Sequence, residues 1–269
     1  MTKKDQYYVI GYPVKHSLSP KIHTAFAQET HQNLTYDFLE VAPSDFIDTI
    51  KALQQDQHIK GLSITVPFKE EAFKLCQDAD KYAKQVKAVS NISFDDNRNL
   101  YGYNLDGYAL ILDLKSKGIN LANKKILILG AGGAARGCLL PIINQQPKSI
   151  YLLNRTEKKA KDLIKEFIDI FTINLLNMNK IDDKFDIIIN ATSSSLSHQL
   201  PMVNKNFVMT KKTIGYDLAY AIEDTPFIKW MKECDCHAYD GTGMLYALSK
   251  EIFSIWRNVE PKSNPLVDH

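Results

Sequence analysis

An excess of charge of either sign is nearly missing from this 269-residue chain: 33 Lys and Arg stand against 31 Asp and Glu, for a formal net charge of +2. Acids and bases are interspersed, so there is no phosphate-tracking stripe and nucleic acid is not an expected partner. The locally basic segment from Lys158 to Lys165 reads as a solvated helix face. Long hydrophobic runs are also missing, since none approaches the ~20 residues that a membrane-spanning helix needs. The lead segment Met1-Thr2-Lys3-Lys4-Asp5-Gln6 enters a strand without the apolar region or small-residue cleavage site of an export signal, so a cytoplasmic location is expected. Cysteine is scarce, and Cys76, Cys138, Cys234 and Cys236 include no repeated pair of the kind that builds a zinc site. In Cys234-Asp235-Cys236-His237, neighbouring ligands on an extended segment would point to opposite faces. No metal is expected, and the thiols are expected to be reduced. There are no internal repeats or low-complexity stretches. What remains, 45% hydrophobic and 24% charged, is the composition of a globular protein long enough for two domains.

The most informative segment present is Lys125-Ile126-Leu127-Ile128-Leu129-Gly130-Ala131-Gly132-Gly133-Ala134-Ala135, an apolar strand ending in a glycine turn that opens a helix. That arrangement seats a dinucleotide pyrophosphate on helix N–H groups. Gly130 permits the tight turn, Gly132 lets backbone N–H groups reach the phosphate, and Ala135 lets the helix pack close to the strand. The bare alternative is a glycine turn tightening an ordinary βα unit. The next strand, Ser149 to Leu153, ends in Asn154-Arg155-Thr156, where an NAD enzyme would place a carboxylate on the ribose. Arg155 instead offers a planar fork for a 2′-phosphate, with Thr156 as a further donor and Lys158 and Lys159 adding positive field. The cofactor expected from these residues is NADP.

Strands and helices alternate through the first hundred residues. The pattern predicts strands Tyr7 to Gly11, Leu34 to Val41 and Ile59 to Val66, with helices from Pro20, Pro43 and about Lys69. A hairpin of Val89 to Phe94 and Leu100 to Tyr103 follows. The expected class is α/β: an N-terminal α/β substrate domain of residues 1–105 that regains residues 241–269, and a Rossmann-like doubly wound parallel sheet over residues 106–240. The second domain is expected to open with a helix to about Lys117 and to contain strands Asp186 to Asn190 and Thr213 to Asp217. The last helix, about Gly243 to Trp256, is expected to return to the first domain, leaving a cleft between domains.

A nicotinamide supplies only a hydride, so ketone reduction also needs a proton donor. Lys69 is a candidate because it starts a helix beside Glu70 and Glu71, where the macrodipole opposes its charge; an exposed lysine is the alternative. Asp106, in Gly102-Tyr103-Asn104-Leu105-Asp106-Gly107, is either catalytic or a helix N-cap. His16-Ser17-Leu18-Ser19-Pro20 puts Ser19 at an N-cap and Pro20 first in the helix, and two hydroxyls there would also suit a carboxylate ligand.

Several motifs agree in order across nearly the whole chain: His16-Ser17-Leu18-Ser19-Pro20, Thr65-Val66-Pro67-Phe68-Lys69-Glu70, Asn104-Leu105-Asp106-Gly107, Gly130-Ala131-Gly132-Gly133-Ala134, Asn154-Arg155-Thr156, Asn190-Ala191-Thr192-Ser193-Ser194, Tyr216-Asp217 with Tyr220, and Asp240-Gly241-Thr242-Gly243-Met244-Leu245. Taken together they resemble shikimate dehydrogenase. The resemblance implies NADPH-dependent reversible reduction of 3-dehydroshikimate to shikimate, within aromatic amino acid and chorismate biosynthesis, with Lys69 and Asp106 as the proton-handling pair. It implies that Ser17 and Ser19 hold the substrate carboxylate, that Ser63, Thr65, Ser90, Tyr216 and Leu248 line the substrate site, and that Tyr216 lies near the nicotinamide. Gly130, Ala131, Gly132, Gly133, Ala134, Asn154, Arg155, Thr156, Thr192 and Gly241 are implied as cofactor contacts. Four positions depart from the family pattern: Ser63 and Ser90 replace amides, Leu105 replaces a Thr, and Leu248 replaces a Gln. An altered substrate preference is therefore expected, with quinate or a related cyclic hydroxy acid as the alternative substrate and a non-catalytic NADP-binding paralogue as the alternative class. The expected partner is a small molecule, with a monomeric or homodimeric state.

Overall fold

The computed structural model describes residues 4–177, 184–203 and 209–266; the first three residues of the lead segment and the last three of the expected C-terminal segment lie outside them. The chain divides into two units, Met1–Ala109 with Leu245–His269, and Leu110–Met244. Among the described residues no helix is long and apolar enough to cross a membrane.

In the first unit, β1 (Asp5–Gly11), β2 (Leu34–Glu40) and β3 (Ile59–Ile64) are parallel, while β5 (Asn91–Phe94) and β6 (Leu100–Tyr103) continue the sheet antiparallel and β4 (Asp78–Ala79) closes its edge. Helix α1 (Ser19–Glu29) forms because its apolar positions fall on one stripe: Ser19, Ile22, His23, Phe26 and Ala27 are all buried. Its N-cap is Leu18, with Ser19 and Pro20 inside the first turn, one residue earlier than the sequence pattern predicted. The segment after Pro43 makes a short 3₁₀ turn before α2 (Phe46–Gln55) begins. Helix α3 (Lys69–Leu75) starts at Lys69, and α4 (Lys81–Val86) was missed by sequence reasoning. The hairpin turn is fixed by Asp95, whose carboxylate accepts from the Asn99 backbone at 2.7 Å and side chain at 2.9 Å.

The second unit is an all-parallel sheet in the order β12-β11-β10-β7-β8-β9. Strands β7 (Lys125–Leu129) and β10 (Ile187–Asn190) are central and read as continuous apolar runs because helices cover both faces of such sheets. Between β7, β8 (Ser149–Leu153) and β9 (Ile173–Leu175) run α6 (Gly133–Ile143) and α7 (Glu157–Glu166). β11 (Ile214–Asp217) leads through α8 (Pro226–Glu233) to β12 (His237–Tyr239). Helix α7 buries Ala160 and Leu163 and exposes its lysines, as a solvated face should. The strand order reverses between β7 and β10, where doubly wound sheets present a crevice at their strand tips.

Helices α5 (Asp106–Ser116) and α9 (Thr242–Arg257) each contribute to both units. The division falls inside α5, not at its first residue, so Asp106 belongs to the first unit with Lys69. In α9, Trp256 lies over Gly61 of β3; a Cβ at Gly61 would meet the indole at 2.4 Å, which explains glycine in a strand interior.

Candidate active site

Lys69 Nζ donates to Asp106 Oδ2, with the two side chains 13% and 2% exposed. The sequence left each residue with a structural alternative; their meeting, 37 positions apart, makes them one unit. Asp106 also answers the electrostatic objection to a lysine at a helix start, because a carboxylate beside the ammonium offsets the unfavourable dipole. Backbone bonds hold the pair's supports together: Val89 N donates to Lys69 O at 2.9 Å, and Ser90 N to Tyr103 O at 2.7 Å. A desolvated ammonium held by a buried carboxylate can deliver a proton to, and stabilise negative charge on, an oxygen placed beside it.

The other predicted substrate residues of this unit fall into two groups. Thr65 and Ser17 are half-buried, and Ser17 Oγ accepts from Ser19 N at 3.3 Å, so the Ser17 hydroxyl is partly engaged at the start of α1. Ser63 and Ser90 are buried, and both bond to Asn91, which sequence reasoning had not singled out. Asn91 Nδ2 donates to Ser63 Oγ at 2.9 Å, and Ser90 Oγ donates to Asn91 Oδ1 at 2.8 Å. An amide therefore stands one residue after Ser90, between the two hydroxyls.

In the second unit, Gly130 has φ +107°, and a Cβ there would meet Ala191 O at 2.9 Å, so the turn after β7 requires glycine. Gly132, the N-cap of α6, makes no side-chain cap, and nothing stands within 4 Å of where its Cβ would be. Uncapped helix N–H groups behind open space suit a pyrophosphate, while Ala135 is fully buried against the sheet. Gly133 and Ala134 are half-exposed on the first turn, and Ala131 is buried beneath it. Arg155 and Thr156 are exposed past the tip of β8, and Asn154 Nδ2 shapes that tip by donating to Thr156 O at 2.9 Å. Thr192 is tied into its own loop, its Oγ1 donating to Asn190 Oδ1 at 2.7 Å. Gly241 N donates to Ala219 O at 3.0 Å, and a Cβ at Gly241 would meet Leu218 O at 2.3 Å. These donors and this open turn fit a phosphorylated dinucleotide.

A family model described as shikimate dehydrogenase substrate binding domain matches residues 9–92, and one described as shikimate / quinate 5-dehydrogenase matches residues 113–219. A protein of Aeromonas salmonicida named shikimate dehydrogenase (NADP(+)) is 43% identical over 96% of this chain and 94% of its own length. This chain belongs to the shikimate dehydrogenase family. Among solved structures, the family member from Aquifex aeolicus superposes with TM-score 0.87 at 31% identity, covering 97% of this chain and 96% of that one. An Ael1 enzyme from Pseudomonas putida gives TM-score 0.84 at 35% identity, covering 96% and 95%.

Tyr216, expected near the nicotinamide, is fully buried and its hydroxyl donates to Asp113 Oδ2 at 2.6 Å. Burial and the Asp113 carboxylate push its phenol well above the usual range, so it stays protonated and committed to that bond. Asp113 also pairs with Lys117 at 2.6 Å, and a Cβ at Gly243 would meet its Oδ1 at 1.9 Å. Tyr216 and Asp113 thus brace the start of α9. A helical spacing of seven from Asp106 was the one sequence signal for Asp113. Buried Asp217 serves the neighbouring strand tips, accepting from Ser195 Oγ and Thr225 Oγ1 at 2.7 Å, Asn190 Nδ2 at 3.0 Å and Ala219 N at 3.1 Å. Leu248, in α9, is half-buried and offers neither donor nor acceptor.

Proposed function

We propose that this chain is an NADP-dependent shikimate dehydrogenase that interconverts 3-dehydroshikimate and shikimate. The observation that carries the reading is the Lys69–Asp106 pair, a desolvated acid–base couple in the unit whose sequence matches the substrate-binding family model. The nicotinamide supplies a hydride when bound. Lys69 supplies the proton at the carbonyl oxygen and stabilises charge building there, while Asp106 holds and aims the ammonium. Ser17, Ser19 and Thr65 hold the ring substrate by its carboxylate and a hydroxyl. Gly130 to Ala134 cradle the pyrophosphate, and Arg155 with Thr156 takes the 2′-phosphate. A cytoplasmic enzyme, monomeric or homodimeric, belongs to the same reading, and sedimentation of the purified protein tests the assembly state.

The direct test follows NADPH absorbance with 3-dehydroshikimate, then repeats it with NADH, and with quinate plus the oxidised cofactor. Turnover with NADPH well above that with NADH, and shikimate above quinate, is expected. NADPH binding without turnover on any ring acid would replace the enzyme with a binding protein. Lys69→Ala should lower kcat by about 10²–10⁴, the usual contribution of a positioned acid, with a much smaller change in KM.

A further inference from the structure

The first unit holds a one-way chain of hydrogen bonds that the proton pair does not use. It starts at a group that can only donate: Leu105 N–H, immediately before Asp106, gives its hydrogen to Ser90 Oγ at 2.9 Å. The Ser90 hydroxyl hydrogen goes on to Asn91 Oδ1 at 2.8 Å, the shorter of its two contacts, with Tyr103 O at 3.4 Å as the longer one. That bond fixes which way the Asn91 amide faces, so its Nδ2 donates to Ser63 Oγ at 2.9 Å. From the other side, Tyr36 OH donates to the same Ser63 oxygen at 2.8 Å. Sheet register makes this meeting possible, because Ser63 of β3 and Asn91 of β5 are direct cross-strand partners. The tyrosine ring is itself held by His23, stacked on it at 4.1 Å with the planes 5° apart.

Both lone pairs of Ser63 are occupied, one by Tyr36 and one by Asn91, and its remaining hydrogen has no acceptor among the described residues. Asn91 is fully buried and Ser90 is 2% exposed, so water does not rearrange the chain, whereas Ser63 keeps some exposure at 7%. We propose that Tyr36 and Asn91 are positioning residues that set the polarity of Ser63, so that the site presents a donor and no acceptor there and selects a ring oxygen able to accept. This rests on the reading that the unit takes a ring acid. An amide could swap between donating and accepting by a flip; a serine held at both lone pairs cannot.

The test is a double-mutant cycle of Tyr36→Phe and Ser63→Ala, with KM and kcat for shikimate measured in each folded variant. Tyr36→Phe frees a lone pair on Ser63, so KM should rise about threefold to tenfold while kcat stays within about twofold. Ser63→Ala should raise KM by about tenfold, and adding Tyr36→Phe to it should change little more. Asn91→Asp places an acceptor where the donor stood and draws the Ser63 hydrogen inward, so KM should rise again with kcat retained. The inference is overturned if Tyr36→Phe leaves KM unchanged or if its effect adds in full to that of Ser63→Ala, as a merely structural role would require. An active wild type with additive variants removes this inference alone; a wild type inactive on every ring acid removes the reading beneath it as well.

Discussion

Acid should cost this protein stability through one residue, His23. Burial holds its imidazole neutral, down to about 3 from the ordinary 6.5, among Tyr36, Phe26, Phe253 and Trp256. Below pH 6.5 the unfolded chain takes up a proton that the native protein refuses, so the equilibrium tilts toward unfolding. The contribution is intact above 6.5 and is lost as pH falls toward 3. Each pH unit in that window costs about 1.4 kcal/mol, so acidifying to about pH 5 removes about 2 kcal/mol. That figure needs only a native value well below 5, which complete burial secures. The assay is urea unfolding at about pH 7.5 and about pH 5, comparing the protein with its His23→Leu variant, so that carboxylate contributions common to both cancel. Trp256, 5.7 Å from His23, reports the first unit by fluorescence once Trp230 is changed to Phe. The parent should lose about 2 kcal/mol more than the variant on acidification. Equal losses would refute the argument and mean that His23 takes up its proton without unfolding.

Arg155→Ala should raise the KM for NADPH by about tenfold to a hundredfold, the worth of a charge-assisted bond to phosphate, and leave NADH use nearly unchanged; equal effects on both cofactors would place the 2′-phosphate elsewhere. Gly130→Ala should destabilise the second unit by roughly 1–3 kcal/mol through its left-handed φ and the nearby Ala191 carbonyl, read as a lower melting temperature. Leu248→Gln should lower the KM for shikimate, because a donor and an acceptor enter where leucine has neither, and an unchanged KM would show that the position does not meet the ring. Tyr216→Phe should lower stability by about 1–3 kcal/mol by leaving a buried Asp113 lone pair unmet, while KM for shikimate holds; a large KM effect would show that Tyr216 also meets the substrate.

The sequence was most legible where a local pattern dictates a local structure. The glycine turn after β7 could be read because the permitted φ, the apolar strand and the opening helix are all encoded within a dozen residues, and the expectation of NADP came from the chemistry of Arg155 alone. The short strands β4, β9 and β12 were illegible, because two or three residues carry no period and are strands only through a neighbour's hydrogen bonds. The bond that Tyr216 makes was illegible for a related reason. Its motif shows which strand it ends, and only the fold shows that its hydroxyl donates to Asp113 of α5.

By itself, then, the chain determined its two α/β units, its glycine turn and the residue types proposed to carry the chemistry, since each follows from periodicity, backbone freedom or charge within a few positions. Tertiary structure alone decided which groups meet: Lys69 with Asp106, and Ser63 with Asn91 and Tyr36. The reason is that a hydrogen bond across a sheet depends on strand register, and register is set by how whole apolar faces bury together.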